Sequence, residues 1–251
     1  MRRDHTLCHQ RGRSSQQERR KMGNSIRAAE LSDNIVRLVQ VLFGVILAQG
    51  ILRNSELIVS PLAAANLVAA VGFASLYFTT VRSWIDWHLT MTKYPYDVRS
   101  DSPHRSTEML RIWADLGFVV TYAYLLFTVE TLVGNPDGDL LPHLQGYAVL
   151  FSLYLASGLL RRRHYGNPAG QVRAISIFGS LYLWLVAAYW AVTRETGLGD
   201  TVTASWLNGA ALIMIFSLTY AYRGYRQRLR LRGVDPEPAA TVAATTATTP
   251  V

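Results

Sequence analysis

Six stretches of mostly apolar residues, separated by more polar segments, constrain this chain more than any other feature of its sequence. A helix needs roughly 20 apolar residues to cross a hydrocarbon core of about 30 Å. Two stretches of that length contain charge, and four contain no Lys, Arg, Asp or Glu. The stretches cover about 34–52, 57–81, 109–131, 140–160, 174–193 and 201–222. The sequence therefore predicts an all-α, polytopic membrane protein with a bundle of six transmembrane helices.

The basic residues provide an independent test of this count, because cytosolic loops of membrane proteins are enriched in Lys and Arg. Of the 25 Lys and Arg residues, 22 fall in four clusters, at 1–32, 82–111, 161–173 and 223–232. If the N-terminus is inside, a six-span chain places all four clusters on the cytosolic side. We therefore predict that the N-terminus and the C-terminus are both cytosolic, and that the protein lies in the cytoplasmic (cell) membrane.

The six-helix transmembrane domain is expected to span residues 32–224, between two polar tails. Residues 1–31 are basic, and residues 225–251 are basic at first and then rich in Ala and Thr. Neither segment has the apolar residues to fold alone, so we expect both to be disordered. Turn-forming residues at 134–138 predict a tight loop that joins the third and fourth spans as an antiparallel hairpin.

Several function classes find little support in the sequence. The basic residues form no single surface stripe, which argues against nucleic-acid binding. The one cysteine, Cys8, has no partner for a disulfide. His143 and His164 have no second ligand at useful spacing, so we expect no metal site. No phosphate-binding loop or known catalytic spacing occurs, so we expect no enzyme activity and no cofactor.

Polar residues within the spans are the best functional clues, because an ionisable side chain at the bilayer centre costs roughly 2.5–3.5 kcal/mol on insertion scales. In the first span, Asp33, Arg37 and Gln40 follow helical spacing and share one face. Asp33 and Arg37 are also spaced to pair at i and i+4. One face of this helix is therefore predicted to be polar.

Further charges lie at similar depth near the ends of the second and third spans. They include Asp86, His88 and Asp115. We expect an ionic cluster that joins the first three helices, in which Arg37 pairs with Asp33, Asp86 or Asp115. Such a cluster is either purely structural or part of a permeation path.

The run Arg161, Arg162, Arg163 follows the fourth span. Positive charge at this position anchors topology, and it also attracts the headgroups of anionic lipids. We expect this run to contact the bilayer surface.

The first helix resembles that of a known channel family. Arg27, Leu31, Ser32 and Asp33 are similar to the Arg-x-x-x-Phe-Ser-Asp motif of the lysosomal and bacterial six-helix potassium channels, with Leu31 in place of Phe. The resemblance implies a cation channel assembled from several subunits around this helix. It also implies a hydrophobic constriction formed by Leu38 and Val41, which would gate the pore by dewetting.

Two functions from different classes follow from these observations. The first is permeation of an ion, expected to be a cation, or of a small solute through a homo-oligomer with a polar first helix. The second is a non-transporting membrane scaffold or partner subunit whose intramembrane charges are structural.

Overall fold

The structure, a computed structural model, describes residues 30–60, 67–98, 102–103, 105–133, 135, 137–165, 169–196 and 201–231. These residues form helices α1 (Glu30–Arg53), α2 (Ser55–Val59), α3 (Leu67–Lys93), α4 (Arg105–Glu130), α5 (Leu141–Tyr165), α6 (Ala169–Thr196) and α7 (Thr201–Leu231). All of them except the short α2 are long and apolar enough to cross a membrane. The six predicted spans are thus confirmed as helices of a multi-pass membrane protein, and the compartment that each terminus faces stays a prediction.

The second span differs most from its predicted range of 57–81. Helix α2 ends at Val59, and α3 is described from Leu67 to Lys93. Residues 61–66, which belong to the predicted span, lie outside the described residues. The helix extends past Asp86 because this carboxylate is partly buried among other helices instead of lying in a loop.

Helices α3 to α7 pack as a ring. Each helix contacts the next one in the chain, and α7 packs back against α3. The contacts between α4 and α5 confirm the predicted hairpin, and the backbone N–H of Gly138 donates to the carbonyl of Asn135 in its turn. The interior of this ring positions the candidate site.

Helix α1 packs on the outside of the ring. Phe43 is buried and contacts the rings of Trp87 and Tyr122, on α3 and α4. Gly50 lies against Leu126. The other side of α1 is exposed and includes Leu38 and Val41.

The ends of the bundle differ in charge. We call the end where α3, α5 and α7 finish and α4 and α6 begin the basic end, and the other end, which carries the α4–α5 turn, the hairpin end. At the basic end α7 continues as a helix to Leu231, so the first residues of the predicted tail at 225–251 are helical. Arg226 on this extension is buried against α3. Of the predicted tails at 1–31 and 225–251, residues 1–29 and 232–251 lie outside the described residues.

Candidate functional site

A buried ion pair joins α7 to α3 at the basic end. Arg223 Nη1 lies 2.5 Å from Asp86 Oδ2, and Arg226 Nη1 lies 3.1 Å from the same oxygen. Arg223 Nη2 also donates to Ser83 Oγ at 2.5 Å and to Tyr154 OH at 2.9 Å. Arg223 is only 5% exposed, so its charge is held inside the ring by these contacts.

A second buried carboxylate, Asp115 on α4, is held by neutral donors. Its Oδ2 accepts a hydrogen bond from Tyr96 OH at 2.6 Å and from Trp87 Nε1 at 3.1 Å. Tyr96 follows α3 outside the membrane-crossing segments. Burial, with the adjacent Asp115 carboxylate, raises the pKa of Tyr96 well above its ordinary value near 10. Tyr96 therefore keeps its proton and remains a donor to Asp115 at neutral pH.

The connection after α3 is fixed to α4 by Arg111. Arg111 Nη2 donates to the backbone carbonyl of Tyr94 at 2.6 Å, and the guanidinium lies 5.0 Å from the centre of the Tyr96 ring. Arg111 also pairs with Glu108 at 3.4 Å, and both side chains are almost fully buried. These contacts hold Tyr94 and Tyr96 against α4 beside the site.

The charged groups surround a cavity of about 40 Å³, measured as the space open to the centres of water molecules. One water needs roughly 10–15 Å³ by this measure, so the cavity has room for about three. The charged residues that line it are three arginines and two aspartates, namely Arg111, Arg161, Arg226, Asp86 and Asp115. We call these five residues and the space between them the basic-end cavity.

Hydroxyl groups continue from this cavity toward the hairpin end. Tyr122 OH, Tyr154 OH and Ser83 Oγ hydrogen-bond to one another beside the cavity. Further pairs deeper in the ring are Ser75 with Tyr147 (3.4 Å), Tyr182 with Thr219 (2.5 Å) and Thr128 with His143 (2.8 Å). We call this set of buried hydroxyls the hydroxyl column. These hydroxyls lie among the buried aromatic and aliphatic side chains of the ring interior, such as Phe151 and Ile215.

One face of α5 supplies several of the buried polar groups of the ring interior. His143, Tyr147, Tyr154, Ser157 and Arg161 follow spacings of three, four or seven residues, which place them on one side of a helix. The first four are buried and Arg161 is half-buried. The His143 Nε2 atom is buried and has no hydrogen-bond partner among the described residues. Buried polar atoms of this kind are the ones that bind internal water.

The structure separates the sequence-predicted residues into three groups. Asp86 and Asp115 line the basic-end cavity. Gln40 Nε2 lies 3.1 Å from His88 Nδ1, on the outside of the ring. Asp33 and Arg37 are exposed on α1.

The predicted partners of Arg37 are engaged elsewhere. Asp86 pairs with the arginines of α7, and Asp115 accepts from Tyr96 and Trp87. Arg37 forms no ion pair with Asp33 in the described part of the chain. The expected cluster of the first three helices is corrected accordingly: α7 supplies the cations that reach Asp86.

The sequence alone does not identify Arg223 and Arg226 as site residues, because they belong to the basic cluster that follows the last span. A signal was present. Ile215, Thr219, Tyr222 and Arg226 are spaced by four, three and four residues, which continues one helical face beyond the predicted end of the span. Arg27 of the motif and the Arg163 side chain lie outside the described residues.

Comparison with protein-family models, with curated proteins and with solved structures found no match to this chain. Its six apolar helices are those of a multi-pass integral membrane protein. The chemistry available at the basic-end cavity is binding and proton donation: fixed guanidinium and carboxylate groups, with tyrosine hydroxyls beside them. Among the described residues, no group of three or more His, Cys, Asp or Glu side chains is placed to hold a metal ion.

Proposed function

We propose that this protein moves a small ion or polar solute across the membrane, and that the basic-end cavity is its binding site. The observation that carries the proposal is the placement of three arginines and two aspartates around a small space inside a ring of membrane-crossing helices. Ionisable residues within membrane-crossing helices are a common mark of solute and ion pathways.

The energetics of buried charge support the same proposal. Well-packed apolar residues in place of a buried ion pair are often neutral or stabilising by about 1–4 kcal/mol. The pairing of Asp86 with two arginines is therefore weak evidence for a role in stability. The cavity beside these charges is better explained by a solute that binds to them.

A variant of this function assigns the path to α1 in an oligomer. Asp33 and Arg37 lie on the exposed side of α1 within the first membrane-crossing segment, and so do Leu38 and Val41. If several copies assembled through α1, this side would face a shared path, as the resemblance to six-helix potassium channels implies. The exposed charges favour this variant because charge facing lipid is unfavourable.

The competing function is a membrane scaffold whose charges are structural. The contacts of Asp86 and Asp115 support it, because each carboxylate already accepts two hydrogen bonds or ion pairs through one oxygen. A scaffold predicts that changes at the cavity alter stability and leave flux at the level of empty vesicles.

Flux measurements on the purified full chain in liposomes distinguish the three. We expect K⁺, Na⁺, chloride or phosphate to cross faster than in empty liposomes. Ser157 lies at the cavity and is buried, so Ser157→Leu should fill the space. If the leucine side chain costs about 1.4 kcal/mol of binding free energy, the affinity for the solute falls about tenfold, and we expect flux at low solute concentration to fall with it. Ser152→Leu, at an exposed position of the same helix, is the control.

The α1 path gives a different pattern. Leu38→Asn should raise flux by wetting the constriction, and Arg37→Gln should change cation selectivity, while Ser157→Leu has no effect. If a folded protein gives no flux for any of the four ions, the permeation proposal is wrong and the scaffold is favoured.

A further inference from the structure

Arg161 differs from the other charged residues of the basic-end cavity. Arg223 and Arg226 pair with Asp86, and Arg111 pairs with Glu108. The hydrogen bond that Arg161 forms within the described chain runs from Nε to the carbonyl of Ser157, one turn earlier on α5, at 3.3 Å. Its two terminal nitrogens form no hydrogen bond or ion pair with a carboxylate of the described residues.

The guanidinium of Arg161 is oriented by that contact and lines the cavity. Two parallel N–H groups of an arginine match the two oxygens of a carboxylate or a phosphate, and such bidentate bonds are among the strongest in proteins. The hydroxyl of Ser157 lies at the same cavity and is buried. It makes no hydrogen bond to another described residue, so it provides a further donor beside Arg161.

The charge and size of the cavity fit the same class of ligand. Its described lining carries three guanidinium groups against two carboxylates, and both terminal nitrogens of Arg161 are available. Space for about three water molecules is comparable with a carboxylate or with the oxygens of a phosphate group. Both carboxylates of the lining already accept hydrogen bonds or ion pairs, so the additional guanidinium of Arg161 favours an anion over a cation in this cavity.

We propose that the basic-end cavity binds a small oxyanion, a phosphate or carboxylate group, through Arg161 and Ser157. This proposal names the class of ligand that the site binds. The statement that the ligand is also transported rests on the proposed function. The phosphate has two possible sources, a free anion or the headgroup of an anionic lipid. Arg162, the next residue, is exposed, so the structure assigns the binding role to Arg161 within the basic run.

Binding to delipidated full chain in neutral detergent tests the proposal with inorganic phosphate and acetate as probes. We expect saturable binding by calorimetry. Arg161→Gln should weaken it by about tenfold or more, since it removes the charge and the paired N–H donors that would bind the anion. Arg162→Gln removes the same charge from the adjacent exposed position and should leave binding unchanged. Arg161→Lys keeps the charge without the fork and should bind with intermediate affinity.

A second arm uses nanodiscs that contain phosphatidylglycerol or only phosphatidylcholine. Retention of phosphatidylglycerol that is lost in Arg161→Gln and kept in Arg162→Gln identifies a lipid headgroup as the ligand. Melting temperatures of all variants without ligand show whether each one is folded. Equal binding by Arg161→Gln and Arg162→Gln in both arms, or no saturable binding in either, overturns the proposal. That result leaves the flux assay unaffected, so failure of the anion site and failure of permeation are distinguishable.

Discussion

The two ends of the helix ring are built from different chemistry. The basic end holds buried ion pairs around a cavity. The hairpin end is packed with aliphatic side chains of α4, α5 and the turn between them that are at most 1% exposed, namely Leu125, Val129, Leu132, Leu140 and Leu144. Among the described residues, the charged cavity lies at the basic end and the tight aliphatic packing lies at the hairpin end. Under the proposed function, the solute therefore binds at the basic end. Passage of a solute would require the hairpin end to open.

Asp86→Asn should have the largest effect on the basic end. Removing this charge leaves Arg223 and Arg226 without their shared carboxylate inside the ring. Loss of one partner of a buried pair costs about 3–5 kcal/mol. Chemical unfolding in detergent measures the change. Asp33→Asn, at an exposed position, should stay within about 0.5 kcal/mol of wild type, and equal effects of the two variants would contradict the assigned pair.

Leu125→Ala tests the packing of the hairpin end. Leu125 is fully buried, and leucine-to-alanine changes in packed cores cost about 2–5 kcal/mol. The same unfolding assay applies. Leu183→Ala removes the same atoms from an exposed position on α6 and should cost much less. A small loss at Leu125 would mean that the hairpin end is loosely packed and open to solute.

Gly146→Ala gives a smaller effect at the same end. A Cβ atom at Gly146 would lie 2.6 Å from Leu125 Cδ2 and 3.1 Å from its Cγ, so the buried Leu125 side chain or α5 itself would have to shift. Overpacking of this kind costs about 1–3 kcal/mol. Gly209→Ala in α7 meets no atom within 4 Å and should be neutral or stabilising in melting temperature. The opposite order would contradict the close helix approach.

The sequence predicted the helical class, the number of spans and the α4–α5 hairpin, because apolar length and turn residues are local properties. It also predicted that Asp86 and Asp115 belong to a cluster of charges near the ends of their spans. It did not predict their partners, since the contact between Arg223 and Asp86 joins residues 137 positions apart. The sequence also gives no reason to distinguish the three arginines after the fourth span. In the structure Arg161 lines the cavity and Arg162 is exposed.

The resemblance of α1 to potassium channels leads to a different expectation from the ring interior. The α1 residues Asp33, Leu38 and Val41 are exposed, so they contribute nothing to a path inside one chain. A pore lined by these residues requires several copies of the chain, whereas a path through the ring requires one. The two proposals therefore predict flux from an oligomer and from a monomer, respectively.

Access of an anionic reagent to the cavity tests the central claim most directly. The variant Ser157→Cys is made in a Cys8→Ser background and reconstituted in liposomes. It is treated with a membrane-impermeant thiosulfonate reagent that carries a sulfonate group. The reagent is added on the side of the membrane from which it labels Arg162→Cys. Ser180→Cys, exposed on α6, serves as the lipid-facing control. We predict that Ser157→Cys is labelled and that phosphate slows its labelling, while Ser180→Cys stays unlabelled. Labelling of Arg162→Cys with none at Ser157→Cys would contradict a solute-accessible cavity at the basic end.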